Sequence, residues 1–145
     1  MTYQFHDHNE PDAADVEIVR TKLKAFNESV LGDYSARPLL VTATSEDGTL
    51  VGAVYGWLQF NWLFIHLVWV DETHRRRRIA TRLMDRIEAL ACQHGIHRSR
   101  LATSDVQPGF HLYRQRGYEV FAEIPFSNGD GPDDHTEYLM WKHRL

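Results

Sequence analysis

The chain predicts a mixed α/β fold: a central, mostly antiparallel sheet of six to seven strands, flanked by helices. Three observations carry this. The dipeptide Asp47-Gly48 sits between β-branched and apolar runs, the turn chemistry that joins two antiparallel strands. Two segments repeat apolar residues at three- and four-residue spacing, Val16, Val19, Leu23, Phe26 and Val30 in one, and Ile79, Leu83, Ile87, Leu90 and Ala91 in the other. That is the period of an amphipathic helix. Strand-like runs then resume after the second helix, so an early local meander is followed by a crossover to new strands.

In chain order, residues 3–8 alternate weakly and are expected to form a first strand. The next helix opens at Pro11-Asp12 and is closed by Gly32. Three strands follow, over residues 39–44, 50–58 and 62–70, with a second turn near residues 59–61. The second helix is expected over residues 76–94, stopped by Gly95. "HRSRLATSD" reads as a short strand, "GFHLYRQRG" as a short helix ended by Gly117, and "YEVFAEIPF" and "TEYLMWKHRL" as strands separated by the turn-rich "SNGDGPDDH".

At 145 residues and 43% hydrophobic, the chain is sized for one domain, residues 1–145, with one sizeable core. A net charge of −4 argues against a surface built as a whole to attract nucleic acid or anionic lipid, so any anion site is local. The single cysteine, Cys92, excludes an internal disulfide and a cysteine-based zinc cluster, and fits a reducing compartment. In its helical setting it reads as a small, partly buried hydrophobe. The N-terminus has no apolar run with basic flanks, so no signal peptide is expected. The longest apolar stretch, residues 62–70 interrupted by His66, is about half the roughly 20 residues a membrane span needs. A soluble, cytoplasmic protein is expected.

One element stands against the acidic background: "WVDETHRRRRIATRL", an apolar strand that runs through four consecutive arginines into a helix. A helix start presents unpaired N–H groups and a positive dipole end, which suits an anion. Arginines beside it add charge-assisted hydrogen bonds. This segment resembles the acetyl-CoA signature of the GNAT superfamily of N-acetyltransferases, in which a strand ending in valine leads to Arg/Gln-x-x-Gly-x-Gly/Ala at a helix start. Arg75 and Ala80 fit, whereas Arg78 stands where the family usually has glycine. "GFHLYRQRGYEVF", with Tyr113, Gly117 and Tyr118, is similar to a later family segment, and the closing "HTEYLMWKHRL" to the last strand of a bacterial subgroup. The resemblance covers most of the chain from residue 39 onward.

The resemblance implies the GNAT fold, with acetyl-CoA as co-substrate in the cleft between the fourth and fifth strands, those of residues 62–70 and of "HRSRLATSD". It implies a cofactor grip from Trp69 and Val70 at the strand end and from Arg75, Arg76, Arg77, Arg78, Ile79, Ala80 and Thr81 at the helix start. Backbone N–H near Val70 would polarise the thioester carbonyl. For the base, His66 is an ionisable group within an apolar strand, expected to share a face with Phe64, Val68 and Val70. Burial there would favour the neutral form that accepts a proton. A core histidine bonded to a backbone carbonyl is the other reading. Tyr113 occupies the family's tyrosine position, where a phenol protonates the departing thiolate. A packing role is the alternative.

Other features point to less. His6 and His8 flank Asp7 and would point the same way, but no third ligand is placed by sequence. No metal is expected. Tyr55, Trp57, Phe60 and Trp62 surround the second turn, as half-buried sheet residues or as the lining of a hydrophobic acceptor pocket. The leading function is acetyl transfer from acetyl-CoA to a primary amine of a small molecule or peptide, by direct transfer with a general base and a general acid. The alternative is a coenzyme A-binding or regulatory module of the same fold without turnover. The arginine run is too short and too embedded for a nucleic-acid patch. Neither nucleic acid nor membrane is expected as a partner, and a homodimer is left open.

Overall fold

The expected meander forms: β1 (Arg37–Thr44), β2 (Leu50–Gln59) and β3 (Trp62–Val70) pair antiparallel in succession. Gly48, at φ 85°, supplies the left-handed turn between β1 and β2. Between β2 and β3 a two-residue turn places Phe60 and Asn61 at φ 54° and 64°, the geometry that matches the twist of paired strands. The chain then crosses over through α2 (Ile79–Gln93) to β4 (Ser99–Ser104), which lies parallel to β3. α3 (Phe110–Gln115), β5 (Glu119–Phe126) and β6 (His135–Lys142) complete a six-stranded sheet ordered β1-β2-β3-β4-β6-β5. The computed structural model describes residues 1–145 and comprises two compact units, Met1–Ser35 and Ala36–Leu145. No helix is long and apolar enough to cross a membrane.

The first unit is dominated by α1 (Ala13–Leu31), which carries the first predicted apolar stripe. Asp12 caps it by accepting from the Ala14 N–H at 2.9 Å, and Gly32, at φ 76°, ends it. Residues 3–8 are not a strand. Their alternation is interrupted by His6, Asp7 and His8, and an isolated alternating run with no ladder partner has nothing to hold it extended.

In the second unit, α2 packs on β1, β2 and β3. Leu83, Met84, Ile87 and Ala91 meet Val54, Leu58, Leu63, Ile65, Leu101 and Met140 of the sheet, with Tyr113 and Tyr118 completing the core. Full burial of each large apolar side chain contributes about 1.5–3 kcal/mol. The helix begins at Ile79 rather than at residue 76, because Arg76 and Arg78 adopt φ 62° and 59°, outside the right-handed helical region.

One irregularity redirects β3. Tyr55 pairs with Leu67 but its neighbour Gly56 pairs with Ile65, so His66 is the extra residue of a β-bulge. Leu63 and Ile65 face the core, and past the bulge it is Val68 and Val70 that pack against it, while Leu67 and Trp69 are exposed. The expected alternation, with His66, Val68 and Val70 on one face, is therefore overturned, since one inserted residue inverts every later side chain. Gly56 makes the bulge possible: a Cβ there would lie 2.1 Å from the Phe64 carbonyl oxygen. Gly56→Ala is expected to cost about 2–3 kcal/mol of stability by overpacking, read by chemical denaturation; an unchanged midpoint would show that the bulge relaxes freely.

Candidate active site

β3 and β4 pair only over residues 63–65 and 99–101, and from His66 onward no strand of the sheet lies beside β3 on that side. The two strands splay into a cleft. Half of the backbone N–H and C=O groups of residues 66–70 thus face the opening without a ladder partner, an edge that an extended ligand can pair with.

At the end of β3, Asp71 anchors the turn that leads to α2. Its carboxylate accepts from the Thr73 N–H at 3.1 Å, from the Thr73 hydroxyl, and from His74 Nδ1 at 3.0 Å. The Thr73 hydroxyl first, and then His74, hold this carboxyl below its usual range. A single 3-10 turn (Glu72–His74) follows, and Arg75 Nε donates back to the Val70 carbonyl at 3.4 Å. Arg76, Arg77 and Arg78 are exposed, and none of the four arginines forms an ion pair within the chain. α2 starts without a side-chain cap and without an acidic residue in its first turn. Its first N–H groups, at Ile79, Ala80 and Thr81, are left open until Arg82 N–H closes the first turn on the Arg78 carbonyl at 3.1 Å. Four consecutive arginines thus lead into an uncapped helix start just beyond the end of β3.

The arginine at the family's glycine position is accounted for by its backbone. Arg78 has φ 59° and ψ 23°, the left-handed region that glycine adopts freely and that costs other residues about 1–2 kcal/mol. The backbone keeps the turn that glycine would make, at the expense of local strain. Arg78→Gly is expected to leave stability unchanged or raise it by up to about 1 kcal/mol, after the extra freedom glycine gains in the unfolded chain is offset. A fall in Tm would show that the guanidinium, not the backbone, sets the turn.

His66 and Tyr113 lie on different elements, β3 and α3. His66 is the first residue of β3 beyond its pairing with β4. It is exposed, so the burial expected of it is absent, and no carbonyl holds it as a core histidine. Its ring instead lies 5.3 Å from that of Trp57 and 6.3 Å from that of Tyr55, in an edge-on contact. Tyr113 projects from α3 into the core, 7% exposed, and burial pushes its hydroxyl up to about 12. Gly109, one turn earlier, was not singled out by sequence. A Cβ at that position would fall 2.8 Å from Tyr113 Cε2 and 3.0 Å from the hydroxyl oxygen. Its spacing of four residues before Tyr113 was the available signal. Of the aromatic residues around the second turn, Tyr55 and Trp57 lie 6.2 Å apart, and Trp57 stacks on Phe64 at 5.8 Å. Trp62 stacks with Trp141 at 6.3 Å.

Comparison with known proteins identifies the family. The model of the acetyltransferase (GNAT) family matches residues 3–118. A blasticidin-S acetyltransferase of Streptomyces morookaense is 40% identical over 112 residues, which are 74% of this chain and 78% of that protein. The crystal structure of an acetyltransferase from Bacillus cereus ATCC 14579 superposes with a TM-score of 0.82 at 26% identity, over 97% of this chain and 98% of the other. The PaiA N-acetyltransferase of Thermoplasma acidophilum, in complex with coenzyme A, superposes with a TM-score of 0.59 at 20% identity, over 92% of this chain and 80% of the other. The chain belongs to the acetyltransferase (GNAT) family. It is an enzyme of the N-acetyltransferase class.

Proposed function

We propose that the chain transfers the acetyl group of acetyl-CoA directly to a primary amine of a small molecule, in the cytoplasm. The observation that carries this reading is the splay of β3 from β4, ending at a strained helix start that follows four arginines and has no acidic residue in its first turn. That corner suits a diphosphate, and the cleft leading from it suits an extended pantetheine arm. Arg75, Arg76, Arg77 and Arg78 and the N–H groups of Ile79, Ala80 and Thr81 hold the phosphates. Trp69 and Val70 contribute backbone groups along the arm and a donor to the thioester oxygen. The relative named for blasticidin S makes that compound the first acceptor to test.

In this reading His66 takes a proton from the incoming ammonium, directly or through water, which its exposure allows. The amine nitrogen bonds to the carbonyl carbon, the carbon–sulfur bond breaks, and the surplus proton on nitrogen passes to the departing sulfur, to which Tyr113 donates a hydrogen bond, giving the free thiol. Release of free thiol from acetyl-CoA, with blasticidin S and a panel of polyamines, arylalkylamines and aminoglycosides, tests the proposal. Thiol release that requires an amine is expected. Thermal stabilisation by acetyl-CoA with no thiol release on any amine would show a binding module instead.

A further inference from the structure

The face of the sheet opposite α2 carries a cation that the proposed transfer does not use. The register pairs Arg100 of β4 with Phe64 of β3 on one side and with Trp141 of β6 on the other. Leu63, Ile65, Leu101 and Met140 point into the core, so Phe64, Arg100 and Trp141 point the other way. The Arg100 guanidinium lies 3.7 Å above the centre of the Phe64 ring. Phe64 stacks on Trp57 with 14° between the planes, and Trp57 reaches His66 at 5.3 Å. Arg100, Phe64, Trp57 and His66 thus form one continuous row, and it crosses the apex where β3 and β4 part.

Arg100 has no counter-ion. Its Nε is buried without an acceptor, and burial alone, with no opposing carboxylate, draws its pKa down. Its neighbour Arg98, by contrast, donates to the Asn61 carbonyl at 3.3 Å. A buried donor without a partner is costly, and the cation–π contact offsets only part of that cost. The ring covers one face of the guanidinium, and its two Nη groups have no partner within the chain, so an incoming carboxylate can pair with them end-on.

We infer that Arg100 is an acceptor-recognition residue that pairs with a carboxylate on the amine substrate, while the aromatic row beside it receives the part of that substrate between carboxylate and amine. The acceptor class is therefore an amino compound bearing a carboxylate, aligned with its amine toward His66. This rests on the acetyl-transfer reading and narrows it to one substrate class.

The test uses matched probes that differ only in charge: 4-(aminomethyl)benzoate against 4-(aminomethyl)benzamide, and 6-aminohexanoate against its amide. Binding to the enzyme with coenzyme A is followed by tryptophan fluorescence, and turnover by thiol release. The wild type is expected to bind each acid at least about tenfold more tightly than its amide, and turnover is expected to show the same preference in KM. Arg100→Met, which keeps the stem over Phe64, should reduce the preference to within about twofold. Arg100→Lys should retain only part of it. Acetyl-CoA affinity should stay as in the wild type, and Tm should not fall. Equal binding of acid and amide by the wild type, binding of neither, or a preference that survives in Arg100→Met overturns the inference. So does a Tm loss in Arg100→Met with the preference intact, which would mark a purely structural rivet between β3 and β4. Selective binding of the acids without thiol release would instead count against acetyl transfer and leave Arg100's role standing.

Discussion

Tyr113→Phe is expected to lower kcat about 100-fold, within the range of a positioned proton donor, while the KM for acetyl-CoA changes less than about twofold. The ring survives the substitution, so the core contacts of Tyr113 with Tyr118, at 6.0 Å between ring centres, are kept. Only the hydroxyl is lost. Burial pushes that hydroxyl up to about 12, whereas a thiol titrates near 8.5. In the proposed transfer the phenol is then a weaker acid than the group it would assist, and it would act as a hydrogen-bond donor to sulfur throughout the departure rather than yielding its proton fully. Its proton is also present at every physiological pH, so the alkaline limb of the rate profile should not report Tyr113. Steady-state kinetics from pH 6 to 10 check this; an alkaline limb that vanishes in Tyr113→Phe would contradict it.

The same burial makes a stability prediction with a fixed sign. The folded value lies above the unfolded one near 10, so the folded state keeps a proton that the unfolded state has lost. The stabilisation is complete below about pH 10 and fades as pH rises toward 12, by roughly 2–3 kcal/mol at most. Tyr118 is pushed up as well, by burial and then by the charge of Glu88, and adds to the alkaline loss. Tyr113→Phe should therefore keep more of its neutral-pH stability at pH 11 than the wild type does, without becoming insensitive to pH.

Much of the scaffold was legible because its signals are local. Asp47-Gly48 fixed one hairpin, the stripe from Ile79 to Ala91 fixed α2, and Gly117 ended α3 where expected. The site was legible only as far as residue type and order reach. The bulge at His66 depends on Gly56 meeting the Phe64 carbonyl across the ladder, a contact between strands that no single-strand periodicity encodes. It turned a histidine expected to be buried into an exposed one. Arg78 looked like a misfit because side-chain identity argues for glycine, while the backbone adopts the glycine conformation regardless. Arg100 drew no notice in the sequence, since an arginine in a short strand is ordinary until its lack of a partner is seen.

Glu88 was equally hidden, and its replacement carries the largest stability effect. It follows Ile87 in α2 and would be read as surface charge, yet it is 8% exposed. Its carboxylate accepts from Arg116 Nη2 at 2.7 Å and from the Tyr118 hydroxyl at 3.0 Å, with Lys142 Nζ at 3.7 Å. Tyr118 has one proton to give, so at its second contact, 2.8 Å from Ser99 Oγ, the serine is the donor. Arg116 also donates to Asp85 at 2.7 Å. One carboxylate thereby joins α2 to the end of α3, to β4 and to β6. Glu88→Ala leaves Lys142 and the Tyr118 hydroxyl without their carboxylate and Arg116 with Asp85 alone, and is expected to cost about 3 kcal/mol, on the order of 10 °C in Tm. Glu88→Gln keeps the shape and part of the bonding, so it should lose clearly less. Glu88→Leu combined with Arg116→Leu should lose less than the two single changes added together, because an apolar pair leaves fewer charges stranded than either single variant. Denaturation of the wild type, the two leucine single variants and the double variant decides it: additive losses would mean that the carboxylate and the guanidinium stabilise the fold independently, and that the network does not act as a unit.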